Sequence, residues 1–315
     1  TDLQALDQVN MRDWLLAQGL DSPHLHWYVD YACRDDFGTT SAATSAWAGA
    51  HYFACRNGEA QDAASDTVLT TPGGNAWLAE GLERLIHERV GKRILTSGLA
   101  VKFSESDEGL VVDLWLVAEK RSLRIIAEQL IWAAPLFLVP HVFDAPQALR
   151  EAARGFSYAP WLVANLSVAH FPMPQAGAEM AWDNVLYDSP GLGYVVSTHQ
   201  QMRLHPQASV LTYYRVLSQM PPAEGRALLL TNSRAVWAEQ VFADLERAHA
   251  DIRQITTRLD IFRNAHAMIR QLPGLIWGPA RRLFAADGNR LRFAHADVSG
   301  FSLFEEAQYL GVIAA

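Results

Sequence analysis

Across residues 1–60 apolar positions recur every three or four residues, the spacing of an α-helix. Met11, Trp14 and Leu15 share one face, and the pattern stops at Gly19, a residue suited to a helix C-terminus. Ser22-Pro23 opens a second helical segment through Leu25, Trp27, Tyr28 and Tyr31. Residues 58–67 are polar and linker-like. Leu78, Leu82, Leu85, Ile86 and Val90 then outline an amphipathic helix, with Asn75 placed to cap it and Gly91 to end it. Beyond it the pattern changes to strand-like runs at Ile94–Phe103, Gly109–Ala118 and Ser122–Ala134, separated by polar turns.

Residues 146–285 alternate strands and helices: Pro160–Val168, Gly193–Thr198 and Val210–Leu217 predict strands and Val236–Ala248 a helix, with Asp251 opening a further connection. The chain ends in a short apolar strand, Leu291–Ala294, a polar turn, His295–Ser302, and a helix from Leu303. Small residues on that helix, Ala307, Gly311, Ala314 and Ala315, leave room for close packing. The predicted class is α+β.

The chain has 315 residues, half of them hydrophobic and 19% charged, with a formal charge of -8. Its basic residues are scattered and include three lysines, Lys92, Lys102 and Lys120, which argues against a nucleic-acid partner. No apolar run approaches the roughly 20 residues a membrane-spanning helix needs. Cys33 and Cys55 could form one disulfide or be simply buried. His24 and His26 lack a nearby third metal ligand, so no metal is expected; Asp35-Asp36 point different ways on a helix and do not suit a catalytic pair.

A strand that delivers an acidic residue to a loop, followed at once by a helix N-terminus, can grip a polar cofactor. The segment Phe293-Ala294, Asp297, Glu305, Ala307, Gly311 and Ala314-Ala315 resembles the C-terminal motif of the flavin-dependent amine oxidase and phytoene desaturase superfamily. Glu306 stands where that motif usually has glycine. The resemblance implies FAD, with Asp297 bonding the ribityl-phosphate region and the helix start at Leu303 and Phe304 facing the flavin carbonyls. His295, beside the Asp297 loop, is a further candidate for cofactor contact. The run from Gly73-Gly74 to Ala134-Pro135 resembles the middle of the same superfamily. It implies that Ala100 or Val101 pairs with the FAD adenine and that Ala133 to Pro135 lies against the dinucleotide. The two regions cover about a third of the chain.

In that superfamily a complete protein also carries a Gly-x-Gly-x-x-Gly strand–helix unit, and none occurs here. Gly191-Leu-Gly193 lacks the third glycine and runs into a strand pattern, so it reads as a turn. The expectation is a C-terminal portion of a flavoprotein, missing its N-terminal dinucleotide-binding segment, inactive alone and binding FAD weakly or not at all. The implied layout is a helical part of the substrate domain (1–64), part of the FAD domain (65–145), the curved antiparallel or mixed sheet and helices of the substrate domain (146–285), and a C-terminal FAD-binding segment (286–315).

The implied chemistry is hydride removal by FAD from a C–N or C–C bond of a small molecule. Asn165, a mid-strand amide, and His266, in a loop expected to cover the flavin, are the catalytic candidates; a histidine suits proton transfer at neutral pH. Two departures, no lysine after Lys120 and Leu303 where oxidases often have an aromatic, keep a second reading open, a non-catalytic binding or chaperone-like module. A third is an isomerase using reduced flavin without net redox change. A homodimer is compatible with the sequence, and the compartment is open.

Overall fold

The computed structural model of the chain describes residues 2–55, 71, 74–91, 93–173, 179–199, 201, 208–286, 288 and 290–315. The polar stretch 58–67, Pro72-Gly73 and Lys92 lie outside the described residues. In chain order the elements begin with helices α1 (Leu3–Asp7), α2 (Met11–Ala17), α3 (Pro23–Phe37), α4 (Ala46–Ala54) and α5 (Ala76–Val90). Strands β1 (Gly98–Ser106), β2 (Gly109–Leu116), β3 (Arg121–Ala127) and β4 (Leu130–Trp132) follow, then helices α6 (Val139–Val142) and α7 (Gln147–Gly155). Next come β5 (Tyr158–Val168), β6 (Asp183–Asn184), β7 (Gly193–Val196), β8 (Ser209–Val216), α8 (Pro222–Thr231), α9 (Arg234–Leu245), α10 (Ile252–Ile255) and β9 (Thr256–Ile269). The chain closes with α11 (Pro279–Ala285), β10 (Leu291–Phe293) and α12 (Phe304–Ala314).

These elements form two compact units, each assembled from separate stretches of chain. The first holds Thr1–Gln8, Ala76–Ser157 and Gln271–Ala315. Its β1, β2 and β3 make an antiparallel meander, and β4 pairs in parallel with β10, 161 residues further on at Leu130↔Leu291. The single strand expected over Ser122–Ala134 is therefore two strands in two sheets. The polar pair Glu128-Gln129 interrupts the apolar run, and the Leu130 amide turns to the Arg290 carbonyl at 2.8 Å. Phe103, Trp132, Leu136, Val139 and Phe143 pack the interior, with the Phe103 and Phe143 rings 4.2 Å apart.

Much apolar surface of this unit stays open. Helix α5 buries no residue although Leu82, Leu85 and Ile86 line one side. On α12 Val312 and Ile313 are 69% and 60% exposed, and nothing lies within 4 Å of where a Gly311 Cβ would sit. Of the small residues expected to pack closely there, Ala314 is the buried one.

The second unit, Val9–Asn75 and Tyr158–Arg270, is built on an antiparallel sheet of order β6-β7-β8-β5-β9. Alternate β5 residues Leu162, Ala164 and Leu166 are fully buried, and their face carries the core with Leu211, Tyr213, Leu229, Trp237 and Val241. Helix α3 starts with Pro23 at its first position and ends at Gly38, whose φ is 61°. A Cβ at Gly38 would come within 2.5 Å of the Ala159 side chain, so close approach of helix end and strand, as well as backbone conformation, requires glycine.

The largest correction to the sequence reading is β9. Residues 263–268, expected in a covering loop, belong to a 14-residue strand on the edge of the sheet. Exposed Arg258, Arg263, Asn264 and His266 mask the alternation, as polar residues commonly do on edge strands. The two cysteines form no disulfide; Cys33 is buried, whereas Cys55 is exposed at the end of α4. Burial pushes the Cys33 thiol up to about 12, which removes it as a nucleophile at neutral pH.

Candidate cofactor site

In the first unit the pairing of β4 with β10 sets the position of everything that follows both strands. The Ala294 amide continues the ladder to the Trp132 carbonyl at 2.9 Å, then a 3-10 turn, Ala296–Val298, carries Asp297 inward. Asp297 is 2% exposed, and its Oδ2 accepts the backbone N–H of Leu136 at 2.9 Å. Asp297 thus reaches the amide of the residue that follows Pro135, beyond the ends of two adjacent parallel strands. The Leu136 amide itself was not foreseen; the only trace in sequence is the Ala133-Ala134-Pro135 strand ending.

His295 sits beside them. Its Nδ1 lies 3.1 Å from the Asp297 N–H and 3.2 Å from the Asp297 carboxylate. One ring nitrogen cannot serve both at once. Without a proton Nδ1 accepts the Asp297 N–H and caps the turn; carrying one, it donates to the carboxylate. Past the turn, the Ser299 hydroxyl donates to the Ala296 carbonyl at 2.8 Å, and the Phe301 amide donates to that hydroxyl at 3.1 Å.

Gly300, at φ +88, reverses the chain into α12. Leu303 gives that helix no side-chain cap, so its first-turn amides keep their outward hydrogen-bonding capacity, at a place where Leu303 and Phe304 are 47% and 43% exposed. Those amides and the helix dipole suit electronegative ligand atoms.

Ala100 and Val101 stand apart from this arrangement on β1, at a bulge in the meander, with Val101 48% exposed. Asn165 and His266 belong to the second unit. Asn165 is half-buried mid-strand; its Oδ1 accepts the Thr212 hydroxyl at 2.9 Å, and Thr212 in turn lies 2.8 Å from the Ser197 hydroxyl. His266 is exposed on β9 with its ring edge-on to Tyr158, centroids 6.0 Å apart.

Searches against family models and curated sequences return no match for this chain. Solved structures do match. Putrescine oxidase, in its wild type bound to putrescine, superimposes with a TM-score of 0.71 at 13% identity, covering 99% of this chain and 68% of that one. It has an amine oxidase fold. Cyclohexylamine oxidase from Brevibacterium oxydans agrees at a TM-score of 0.65 and 11% identity, over 99% of this chain and 68% of the enzyme. A protein assigned as a protoporphyrinogen oxidase from Exiguobacterium matches at 0.55 and 14% identity, over 86% of this chain and 55% of its own. The mixed α+β class expected from sequence is the observed one.

Within this fold the described residues contain no group of three His, Cys, Asp or Glu placed to hold a metal, and no helix long and apolar enough to cross a membrane. They do contain a buried histidine, His249, that no motif singles out. His249 Nε2 meets the Tyr194 hydroxyl at 2.6 Å.

Burial holds the His249 pKa below 6.5, offset in part by Met173 and Asp251. A folded-state pKa below the unfolded one means that the unfolded chain takes up the proton first. Stability from the neutral ring is therefore present above about 6.5 and is lost as pH falls through and below that value. Urea unfolding followed from pH 8 to 5 should show this decline in wild type and a shallower one in His249→Phe. Equal slopes would rule His249 out as the titrating group.

Proposed function

We propose that the chain is the C-terminal part of an FAD-dependent oxidoreductase that removes a hydride from a C–N or C–C bond of a small molecule. The carrying observation is the β4–β10 pair. It brings Asp297 onto the Leu136 amide and aims the uncapped start of α12 outward, in a fold shared with amine oxidases. These groups fit the flavin end of the cofactor: donors for carbonyl oxygens on α12, and a carboxylate and a histidine beside the strand ends. FAD, when bound, supplies the two-electron acceptor.

The residues of this chain do the rest. The α12 amides hold and orient the ring system, and Asp297 and His295 fix the loop that joins β10 to it. Pro135 and Ala133 form the strand end beside the dinucleotide, and Ala100 and Val101 provide backbone for its adenine. In the second unit Asn165 and His266 offer a fixed amide and an exposed imidazole for binding substrate or moving its proton.

We further propose that the open apolar faces of α5 and α12, and the two-stranded parallel pair with Ile131 45% exposed, are covered by a dinucleotide-binding segment. Parallel strands ordinarily have both faces covered. The competing reading, a binding module without turnover, draws on the absence of any lysine after Lys120.

The test is to titrate FAD into the protein joined to such a segment, follow flavin fluorescence, then add putrescine or cyclohexylamine without oxygen. Bound flavin that bleaches supports the oxidoreductase, and bound flavin that no amine, alkene or carbonyl donor bleaches supports the module. Failure to take up FAD in any form overturns the flavin reading.

A further inference from the structure

The turn from Asp297 to Gly300 is short: backbone bonds and the Ser299 hydroxyl close it from within, and Asp297 ties its start to Leu136. Two of its outward carbonyls are gripped from one other segment of the first unit, residues 271–281. Gln271 is fully buried, and its Nε2 donates to the Gly300 carbonyl. Arg281 donates through Nε to the Ser299 carbonyl at 2.9 Å and through Nη1 to the Ile276 carbonyl at 2.8 Å, tying its own segment to the turn. Asp7 and Glu306 lie near that guanidinium and offset the cost of its burial.

The fit leaves no slack. A Cβ added at Gly300 would stand 3.1 Å from Gln271 Nε2 and 3.1 Å from Ile276 Cδ1. Gln271 Oε1 is buried without a hydrogen-bond partner. Leucine or methionine would fill the same space without that penalty, so packing alone does not account for an amide here; the donor to Gly300 does.

From this we infer that Gln271 and Arg281 are positioning residues, a two-point latch that holds the Asp297–Gly300 turn so that the start of α12 is presented to the cofactor. The cofactor part of the inference rests on the flavin reading proposed above. Both side chains act through backbone carbonyls and touch no reacting atom. The latch also gives the 271–281 segment a role that its Leu-Pro-Gly-Leu-Ile-Trp sequence does not announce.

Amide hydrogen exchange of the full chain tests the latch directly. Gln271→Met keeps the shape and removes the donor; Arg281→Met removes the second grip, and Arg281→Lys keeps one donor. Leu110→Val, a core truncation in the β1–β3 meander of the same unit, is the control. Exchange in the peptide covering 296–303 should rise about tenfold in both methionine variants and stay near wild type in Arg281→Lys and the control.

FAD affinity of the complete protein should fall in the same order. Unchanged exchange at 296–303, or a rise spread evenly over the unit as in a general loss of packing, would overturn the latch. A localised rise in a protein that takes up no FAD even as wild type would uphold the latch and remove its cofactor role.

Discussion

Asp297→Ala is expected to weaken FAD uptake by about 30- to 1,000-fold, which is roughly 2–4 kcal/mol for a lost hydrogen bond to a buried charge plus the donor it leaves unsatisfied. The reasoning starts inside the protein. The carboxylate is 2% exposed and accepts the Leu136 amide, so alanine leaves a buried N–H without a partner at the point where β4 ends. The turn then loses its inward anchor, and His295, which lies 3.2 Å from the same carboxylate, loses its neighbour.

Asp297→Asn separates the two roles. An asparagine Oδ1 can still accept from Leu136, so the turn should keep its shape while the negative charge is gone. Flavin fluorescence titration on the complete protein reads the cofactor, and urea unfolding reads the turn. If Asn binds FAD as wild type does and Ala does not, Asp297 serves the loop alone. If both lose it while only Ala is destabilised, the charge meets the cofactor. Normal uptake by both variants would remove Asp297 from the site.

What could be read in advance depended on how local the cause was. The run Pro160–Val168 reads as a strand and lies within β5, where Leu162, Ala164 and Leu166 turn out to share the buried face. The final strand, turn and helix were legible because apolar, polar and small residues change sharply over two dozen positions. Strand β9 was not, because its exposed face carries arginine, asparagine and histidine and its edge position supplies no second neighbour to bury them.

Long-range partners were invisible for a different reason. Nothing near Asp297 in sequence points to an amide 161 residues away, and nothing near Asp244 points to Ser189 and Tyr213, whose hydroxyls it accepts at 2.5 and 2.9 Å. Such pairs follow from sheet register: once Gly193 pairs with Tyr214 and Leu162 with Arg215, Tyr213 faces the helices and its hydroxyl must find an acceptor there.

That dependence makes Trp237→Ala the most disruptive change expected in the second unit. Trp237, Val241, Asp244 and Leu245 share the buried face of α9, at the one-turn and two-turn spacings that align on a helix. The indole is fully buried in the same core as Leu211, Tyr213 and Leu229, and its Nε1 donates to the Leu229 carbonyl at 3.2 Å. Truncation to alanine should cost about 3–5 kcal/mol through lost burial and the cavity left behind, with a further contribution of about 1 kcal/mol from the orphaned carbonyl. Against the 5–15 kcal/mol typical of a whole domain, that places the unit near its unfolding threshold.

The damage should spread along α9, because Asp244 on the same face holds Tyr213 of β8 and Ser189 of the turn before β7. Trp237→Phe, which keeps a six-membered aromatic ring but loses the donor and the rest of the indole, should cost about half as much. Urea midpoints by circular dichroism give the order, and hydrogen exchange should show β5, β8 and α9 opening together in Trp237→Ala. An alanine variant with a wild-type midpoint would mean that packing of α9 on the sheet is not what holds this unit, and that the strand carrying Asn165 is secured by some other contact.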